Sequence, residues 1–378
     1  MNAVGIILAG GKSERLGALT KNRATAALPV GSCYRAIDFP VSNMSNSGIS
    51  KVAVITQYNS RSLHDHLSSP KWWNLGSKNG GMFVLSPYLS NANALWFRGT
   101  ADSIYQNLTF LRRSNEPYVV ISSGDCVYKM DYNDIVAYHE AKGADITIAY
   151  RQVPDTEDIR QYGVMELDED DRVLDLEEKP LEPSSDKASV GVYVISRPLL
   201  IELIETIVAE GRYDLVRDLF SRYRKRLRIY GYRFDGYWCN LGSIHSYFDC
   251  NMDFLKRDVR NNFIAQYPYI QTKPKDEPPA KYNSNAVVTD CLVGSGAILS
   301  GSAHRSIIFR KVHTNDNSSI SNSIVMEGSY IGKDCIVEHA ILDKDVILHN
   351  GARVMGTPDN IAVISKGTEV RAYVHGGI

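Results

Sequence analysis

The chain has 378 residues, 42 lysines and arginines against 43 aspartates and glutamates, and a formal net charge of −1. Its 44% of apolar and 22% of charged residues are typical of a folded globular protein of two or three domains and exclude an intrinsically disordered chain. The balanced charge gives no support to a general nucleic-acid binder, although a local basic site stays open.

The six cysteines form no C-x-x-C pair, and no histidine cluster has the spacing of metal ligands. This pattern predicts reduced thiols in a cytoplasmic protein rather than disulfides or zinc. The apolar run from Val4 to Ala9 follows no basic region and is too short for a signal peptide. No stretch approaches the ~20 apolar residues of a membrane span, so we expect neither a membrane nor a nucleic-acid partner.

Residues 1 to 260 alternate strand-like apolar runs with amphipathic segments. Several runs, such as Tyr118–Ser122, are apolar on both faces, as expected for a parallel sheet covered by helices. Helices are predicted at Ala101–Arg113, Tyr132–Lys142 and Pro198–Ala209, the last with proline at a favoured first helical position. The alternation predicts an α/β sandwich.

Residues 261 to 284 interrupt this pattern, because four prolines lie there among polar residues, and they predict a linker. From 285 to 378, short apolar steps such as Ile298, Ile320 and Ile336 alternate with turns rich in Gly, Asp and Asn. Steps of this kind are typical of a coil of parallel strands, with one inward residue per step. We expect a left-handed β-helix, and the alternative is an irregular β-sandwich.

The first motif with chemical potential is Leu8-Ala9-Gly10-Gly11-Lys12-Ser13-Glu14-Arg15-Leu16, directly after a buried strand. Two glycines allow close backbone approach to a ligand, exposed N–H groups can hold phosphate oxygens, and Arg15 can add a planar fork. The spacing matches neither the Walker loop nor the dinucleotide fingerprint. Taken alone, the motif is also compatible with an ordinary turn.

Three further motifs end strand-like runs. Asp125 in Ser123-Gly124-Asp125 is placed to hold Mg²⁺, or else to cap the following turn. Lys179 in Glu178-Lys179-Pro180 suits a phosphate monoester, or else belongs to a surface charge cluster. Asn240 lies where a carboxylate would complete a metal site with Asp125, but it is an amide.

Together with other stretches, these motifs resemble the ADP-glucose pyrophosphorylase (glucose-1-phosphate adenylyltransferase) family over nearly the whole chain. That family has a Rossmann-like α/β/α nucleotidyltransferase sandwich followed by a C-terminal left-handed parallel β-helix. The resemblance rests on Leu8–Leu16, Thr20–Ala24, Tyr34–Pro40, Ser42–Asn43, Asn46–Ile49, Thr56–Tyr58, Gly99–Asp102, Ser123–Asp125, Tyr128–Tyr132, Glu178–Pro180, Ala188–Tyr193 and Gly236–Trp238.

The resemblance implies the reaction of ATP with glucose 1-phosphate to give ADP-glucose and pyrophosphate. The nucleophile is already an anion, so such an enzyme needs alignment and charge neutralisation more than a strong base. In the family two aspartates hold Mg²⁺. Arg15 and Asp125 match catalytic positions, and Asp125 also matches the first metal ligand. The matched substrate-binding positions are Gly10, Gly11, Glu178, Lys179, Ser189 and Gly191.

The departures from the family pattern fall on the nucleotide phosphates and the metal. Ser13 replaces a glycine of the loop, and Glu14 adds a negative charge that we expect to face the triphosphate. Thr25 stands where the family has a lysine that neutralises the triphosphate. Asn240 stands where the family has the second metal-binding aspartate, so Mg²⁺ binding is expected to be weak.

This profile predicts a regulatory, catalytically impaired subunit, most like the GlgD-type subunit. The alternative is an active enzyme with reduced activity. We expect self-association, hetero-tetramers with a catalytic ADP-glucose pyrophosphorylase subunit, and a glucose 1-phosphate or sugar-nucleotide ligand. Gln57 and Trp96 match positions on loops that relay allosteric signals in the family.

Overall fold

The described residues of the N-terminal domain form thirteen strands. We analysed a computed structural model, which describes residues 2–76, 80–88, 96–154, 157–371 and 373–375. The strands are β1 (Ala3–Leu8), β2 (Pro29–Val30), β3 (Tyr34–Arg35), β4 (Lys51–Ile55), β5 (Gly81–Leu85), β6 (Tyr118–Ser123), β7 (Cys126–Tyr128), β8 (Ile146–Gln152), β9 (Gly163–Leu167), β10 (Val173–Glu178), β11 (Lys187–Ser196), β12 (Ile229–Arg233) and β13 (Trp238–Asn240).

Helices of several kinds separate these strands. The α-helices are α1 (Asp38–Asn46), α2 (Arg61–Leu67), α3 (Thr100–Tyr105), α4 (Leu108–Arg112), α5 (Tyr132–Lys142), α6 (Arg197–Ala209), α7 (Ile244–Asp253) and α8 (Arg257–Arg260). Short 3₁₀ segments lie at Glu14–Thr20, Thr25–Ala27, Pro70–Trp73 and Ile159–Gln161. Two π-helical segments lie at Leu215–Ser221 and Asn261–Ala265.

The large sheet is mixed rather than wholly parallel, which corrects the sequence-based expectation. Its order is β10-β9-β11-β6-β1-β4-β5, with β8 paired to β11 and β12. The pairs within β6-β1-β4-β5 are parallel, whereas β11 runs antiparallel to β6, β8 and β9. A short polar connection joins β9 to β10 and allows a hairpin, whereas parallel neighbours need a longer crossover.

Side chains of the central strands alternate between two apolar layers. In β6, Val120 packs with residues of α1 and α5, whereas Val119 and Ile121 pack with residues of α3, α4 and α6. This period of two places helices on both faces of the sheet. The N-terminal domain is therefore a three-layer α/β/α sandwich.

The predicted helices are largely present. α5 has the predicted bounds, and α6 begins one residue before the predicted start. The helix predicted over Ala101–Arg113 is instead split into α3 and α4. Asn107 has φ −111° and ψ 17°, and its side-chain amide donates to the carbonyl of Ser103 at 2.8 Å, so a local side-chain bond replaces helix continuity there.

The C-terminal domain is a parallel β-helix of three sheets. One sheet stacks β14 (Lys281–Tyr282), β17 (Ile298–Leu299), β20 (His313–Thr314), β23 (Tyr330–Ile331), β26 (Ile347–Leu348) and β29 (Glu369–Val370). The second stacks β15 (Val287–Thr289), β18 (Ser302–His304), β21 (Ser319–Ser321), β24 (Ile336–Glu338), β27 (Arg353–Met355) and β30 (Tyr373–His375). The third stacks β16 (Leu292–Val293), β19 (Ile307–Ile308), β22 (Ile324–Val325), β25 (Ala340–Leu342) and β28 (Ala362–Ile364).

Successive coils place similar side chains in register. Ala303 pairs with Ile320 and Ile320 with Val337, and all three are buried inside the coil. Ile336, which was expected to point inward, is only half-buried, because its neighbour Val337 takes the inward position. The predicted fold class, an α/β/α nucleotidyltransferase sandwich followed by a left-handed β-helix, is confirmed.

An apolar cluster joins the two domains. Phe39 and Phe263 from the N-terminal side pack in one cluster with Ile307 and Ile324 of the third β-helix sheet. The segment 261–284, predicted as a linker, contains one π-helical turn and strand β14, which pairs with β17. The boundaries at 260 and 284 stay predictions, and the end at 378 lies outside the described residues. Among the described helices, none is long and apolar enough to cross a membrane.

Candidate functional site

A cleft of about 660 Å³ lies where β1 and β6 end. The structure brings nearly all of the predicted site residues together around this cleft, and only Trp96 does not line it. Its lining includes Gly10, Gly11, Ser13, Glu14, Arg15, Thr25, Gln57, Asp125, Glu178, Lys179, Ser189, Gly191 and Asn240. We call the part formed by residues 10–15, Thr25, Asp125 and Asn240 the glycine-loop end, and the part formed by Glu178, Lys179, Ser189, Gly191 and Asp214 the lysine end.

The glycine loop lines the cleft and has backbone donors without partners among the described residues. The N–H groups from Gly10 to Ser13 donate no hydrogen bond to any other described residue. A Cβ on Gly10 would lie 3.3 Å from the backbone nitrogen of Gln57, whereas a Cβ on Gly11 would meet open space. Gly10 is therefore required for close packing, and the space above Gly11 is available to a ligand. Such free N–H groups suit phosphate oxygens.

Ser13 ties the glycine loop to the opposite wall. Its hydroxyl donates to the carbonyl of Gly242 at 2.6 Å, and its own carbonyl accepts from the hydroxyl of Thr20 at 3.1 Å. The side chain of Glu14 is 89% exposed and lies 4.0 Å from the Lys12 ammonium. Solvent and Lys12 therefore weaken the repulsion of a triphosphate that was expected from Glu14.

The remaining groups of the glycine-loop end are a single carboxylate, an amide and a hydroxyl. Asp125 accepts from the Ser123 hydroxyl at 2.5 Å. The Asn240 side-chain NH₂ donates to the thiol of Cys126 at 3.4 Å. Thr25 is 2% exposed, and its hydroxyl has no hydrogen-bond partner among the described residues. An unpaired buried hydroxyl is costly, so the Thr25 hydroxyl is a strained polar group at this end of the cleft.

The lysine end is built on β10 and on a distortion of β11. The Lys179 ammonium lies 3.6 Å from a carboxylate oxygen of Glu178. Lys179 has φ +53°, and its backbone N–H donates to the carbonyl of Tyr162 at 3.0 Å. The register of β11 shifts between Ser189 and Tyr193, and Gly191 there has φ +76°. This geometry explains why glycine is needed at position 191.

The carboxylates of the lysine end are electrostatically coupled. Burial raises the pKa of Glu178 above its usual value, the Lys179 ammonium opposes that shift, and the negative charge of Asp214 adds to it. Asp214 was not identified from the sequence. It caps the segment Leu215–Ser221 by accepting from the backbone of Val216 and Arg217, and an aspartate before an apolar helical run is the signal that marks such a cap. Carboxylates in this arrangement can accept hydrogen bonds from sugar hydroxyls.

The two residues predicted to relay allosteric signals lie at the rim. The side-chain carbonyl of Gln57 accepts from the N–H of Phe97 at 2.7 Å, and its NH₂ group donates to the carbonyl of Phe97 at 3.3 Å. Trp96 is 67% exposed and does not line the cleft. Gln57 thus joins the glycine-loop end to the segment beside Trp96, and the relay role of both stays a prediction.

Comparisons with known proteins agree with this architecture. The Nucleotidyl transferase family matches residues 4–257, and the GlmU-like C-terminal hexapeptide family matches residues 278–360. A glucose-1-phosphate adenylyltransferase of Bacillus cytotoxicus is 36% identical over 371 residues, which is 97% of this chain and 98% of that protein. This chain belongs to the glucose-1-phosphate adenylyltransferase family. Family members of the same name from Bacillus mycoides and Bacillus cereus are also 36% identical, each over 369 residues.

Asp125 is the carboxylate of this family member placed to hold the Mg²⁺ that nucleotidyltransferases generally use. Mg²⁺ prefers carboxylate oxygens and is usually held by one or two carboxylates together with substrate phosphates. Beside Asp125, position 240 offers an amide, whose NH₂ group donates to the Cys126 thiol. No group of three histidine, cysteine, aspartate or glutamate side chains suited to a metal occurs in the described residues.

Proposed function

We propose that this chain is a regulatory, catalytically impaired subunit for ADP-glucose synthesis, acting on a catalytic subunit of the same family. The observation that supports the proposal is the chemistry of the glycine-loop end. A buried hydroxyl without a partner among the described residues, Thr25, and an amide, Asn240, stand where a reaction between two anions calls for charge. The loop donors and the cations Lys12 and Arg15 remain, but positions 25 and 240 add no charge to neutralise a departing pyrophosphate.

The lysine end supports retained ligand binding. Lys179 is a cation available to a phosphate monoester, and Glu178 and Asp214 are available to sugar hydroxyls. We propose that glucose 1-phosphate or a sugar nucleotide binds this chain better than ATP does. A subunit that senses the sugar phosphate and passes the signal to a catalytic neighbour needs this end of the cleft and not the other.

The proposed assembly is a hetero-tetramer with the catalytic subunit, and we also expect self-association. A subunit without turnover of its own has a function only through contact with an active chain. The proposal therefore requires a coupling free energy between the two chains, typically about 1–3 kcal/mol.

The test is turnover of the pure chain, of a catalytic homologue from the same organism, and of the two co-expressed, each at saturating ATP, Mg²⁺ and glucose 1-phosphate. We expect the pure chain to fall far below the ~1–10³ s⁻¹ of ordinary enzymes. We expect co-purification and a higher turnover or substrate affinity of the partner. Normal turnover of the pure chain, or a partner whose kinetics do not change on mixing, would overturn the proposal.

The second candidate is an active glucose-1-phosphate adenylyltransferase with reduced activity. It is favoured by the 36% identity to proteins of that name and by the presence of Arg15, Asp125 and Lys179 around one cleft. The same experiment separates the two, because this candidate predicts measurable turnover without a partner and no gain for a partner on mixing.

A further inference from the structure

We propose that Ser13 is a latch that ties the glycine loop to the turn after Asn240 and thereby weakens the binding of nucleotide triphosphates at the glycine-loop end. The inference rests on the proposed function and names the residue that sets ligand choice at that end. Its basis is the bond from the Ser13 hydroxyl to the carbonyl of Gly242, two residues that are 229 positions apart in the chain.

The latch joins the two loops that border the phosphate donors. On one side lie the free N–H groups of Gly10 to Ser13, and on the other lies the turn that follows Asn240. Gly242 is buried, and its carbonyl accepts no other hydrogen bond from the described residues. A chain of phosphates that passes between the loops has to separate them, which breaks this bond and leaves the buried carbonyl unpaired.

Arg15 is affected by the same contact. A Cβ on Gly242 would lie 3.7 Å from a guanidinium nitrogen of Arg15, so this cation rests against the turn that Ser13 holds. Opening the latch allows the glycine loop, whose N–H groups already have no described partner, and the Arg15 guanidinium to move around a phosphate. The lysine end has no part in the latch, so ligands that bind there alone do not depend on it.

Removing the hydroxyl leaves the loop backbone in place. Ser13 has ordinary extended angles, φ −102° and ψ 119°, so alanine fits without strain. The bond from the Thr20 hydroxyl to the Ser13 carbonyl does not involve the serine side chain and persists in the variant. Ser13→Ala therefore deletes the latch and little else, and Ser13→Thr keeps a hydroxyl as the matched control.

The experiment is calorimetric titration of ATP and of glucose 1-phosphate into the full chain, its Ser13→Ala and Ser13→Gly variants, and the Ser13→Thr control. We expect ATP affinity to rise about two- to ten-fold in Ser13→Ala and Ser13→Gly, the size of one hydrogen bond, and to stay at the parent value in Ser13→Thr. Glucose 1-phosphate affinity should not change in any of them. Amide hydrogen exchange should rise together in residues 10–16 and 240–244 of the alanine and glycine variants, and not in Ser13→Thr.

The latch is rejected unless at least one of the alanine and glycine variants folds and binds ATP more tightly than the parent. It is also rejected if glucose 1-phosphate affinity shifts as much as ATP affinity, since that result indicates a general change of the cleft. Turnover is not measured in these titrations. The latch and the regulatory-subunit proposal can therefore fail separately.

Discussion

The two ends of the cleft differ in charge although one backbone scaffold supports both. The lysine end combines a cation, Lys179, with the carboxylates of Glu178 and Asp214. At the glycine-loop end the free N–H groups, the cations Lys12 and Arg15 and the carboxylates of Glu14 and Asp125 are in place, yet Thr25 and Asn240 are neutral. One scaffold can thus carry ends with different side-chain chemistry, so activity has to be argued from the side chains and not from the scaffold.

Restoring charge at the glycine-loop end should give the largest effect. In Thr25→Lys with Asn240→Asp, we expect turnover at least about 100-fold above that of the parent chain, since one electrostatic group is typically worth 10²–10³ in rate. Thr25 lines the cleft, so the longer lysine can extend into its volume. Initial-rate assays of ADP-glucose formation measure this.

Thr25→Met with Asn240 left in place is the matched control, because methionine has nearly the length of lysine without the charge and no carboxylate is added. Turnover of this control should stay close to that of the parent chain. A double variant no more active than this control would show that charge is not what distinguishes the two ends, and Ser13→Gly would then be added to test whether the latch also limits turnover.

A buried ion pair between the N-terminal domain and the β-helix lies close to the glycine-loop end in the chain. Arg23 lies two residues before Thr25 and pairs with Asp343 of the β-helix at 2.6 Å, with both side chains buried. Asp343→Asn leaves this guanidinium uncompensated, which typically costs 3–5 kcal/mol of unfolding free energy. We expect a loss of about that size in urea denaturation, together with a change in ATP affinity and none in glucose 1-phosphate affinity.

Asp345→Asn provides the control on the same domain. Its partner Lys366 is 3.7 Å away, and both side chains are about half exposed, so the loss should stay below about 1 kcal/mol. Equal losses of unfolding free energy in the two variants would mean that burial of the Arg23–Asp343 pair does not add to its contribution to stability. An equal change in both ligand affinities would mean that the β-helix supports the whole cleft rather than one end.

Local patterns predicted the elements and the position of the cleft better than the contacts inside it. The bounds of α5 follow from its amphipathic period and from the glycine after it, both readable in sequence. The break at Asn107 and the antiparallel β11 depend on side-chain and strand pairing that no periodicity records. The bond between Ser13 and Gly242 links distant positions, so a sequence shows only that a serine has replaced a glycine.

Removing the cation of the lysine end should affect one ligand only. In Lys179→Ala, we expect glucose 1-phosphate affinity to fall about ten- to hundred-fold, the range for a lost charged hydrogen bond, and ATP affinity to change less than about two-fold. Calorimetry on both ligands measures this. Lys187→Ala is the control, since Lys187 lies on β11 outside the cleft lining and pairs with Asp186. If Lys179→Ala lost ATP affinity to the same extent, the two ends would act as a single binding site.

The smallest effect should be a pH dependence that belongs to the lysine end. In the proposed binding mode the ionised Glu178 accepts sugar hydroxyls, and burial raises the pKa of this carboxyl above its usual 4.5. Its contribution to glucose 1-phosphate affinity is therefore complete well above that pKa and is lost as the pH falls through it, beginning at a higher pH than for an exposed glutamate. We expect glucose 1-phosphate affinity to fall a few-fold between pH 7 and pH 5, in addition to the loss caused by titration of the ligand's own phosphate.

The phosphate of the ligand titrates near pH 6 and also weakens binding to Lys179 as the pH falls. Glu178→Gln keeps that titration and removes the carboxyl, so the difference between the parent and this variant isolates Glu178. Glutamine still accepts a hydrogen bond through its amide oxygen, and its affinity should be lower than the parent's at pH 7 and approach it at pH 5. If the two curves instead stay parallel over this range, Glu178 does not hold the sugar as an ionised group, and the lysine end recognises the phosphate alone.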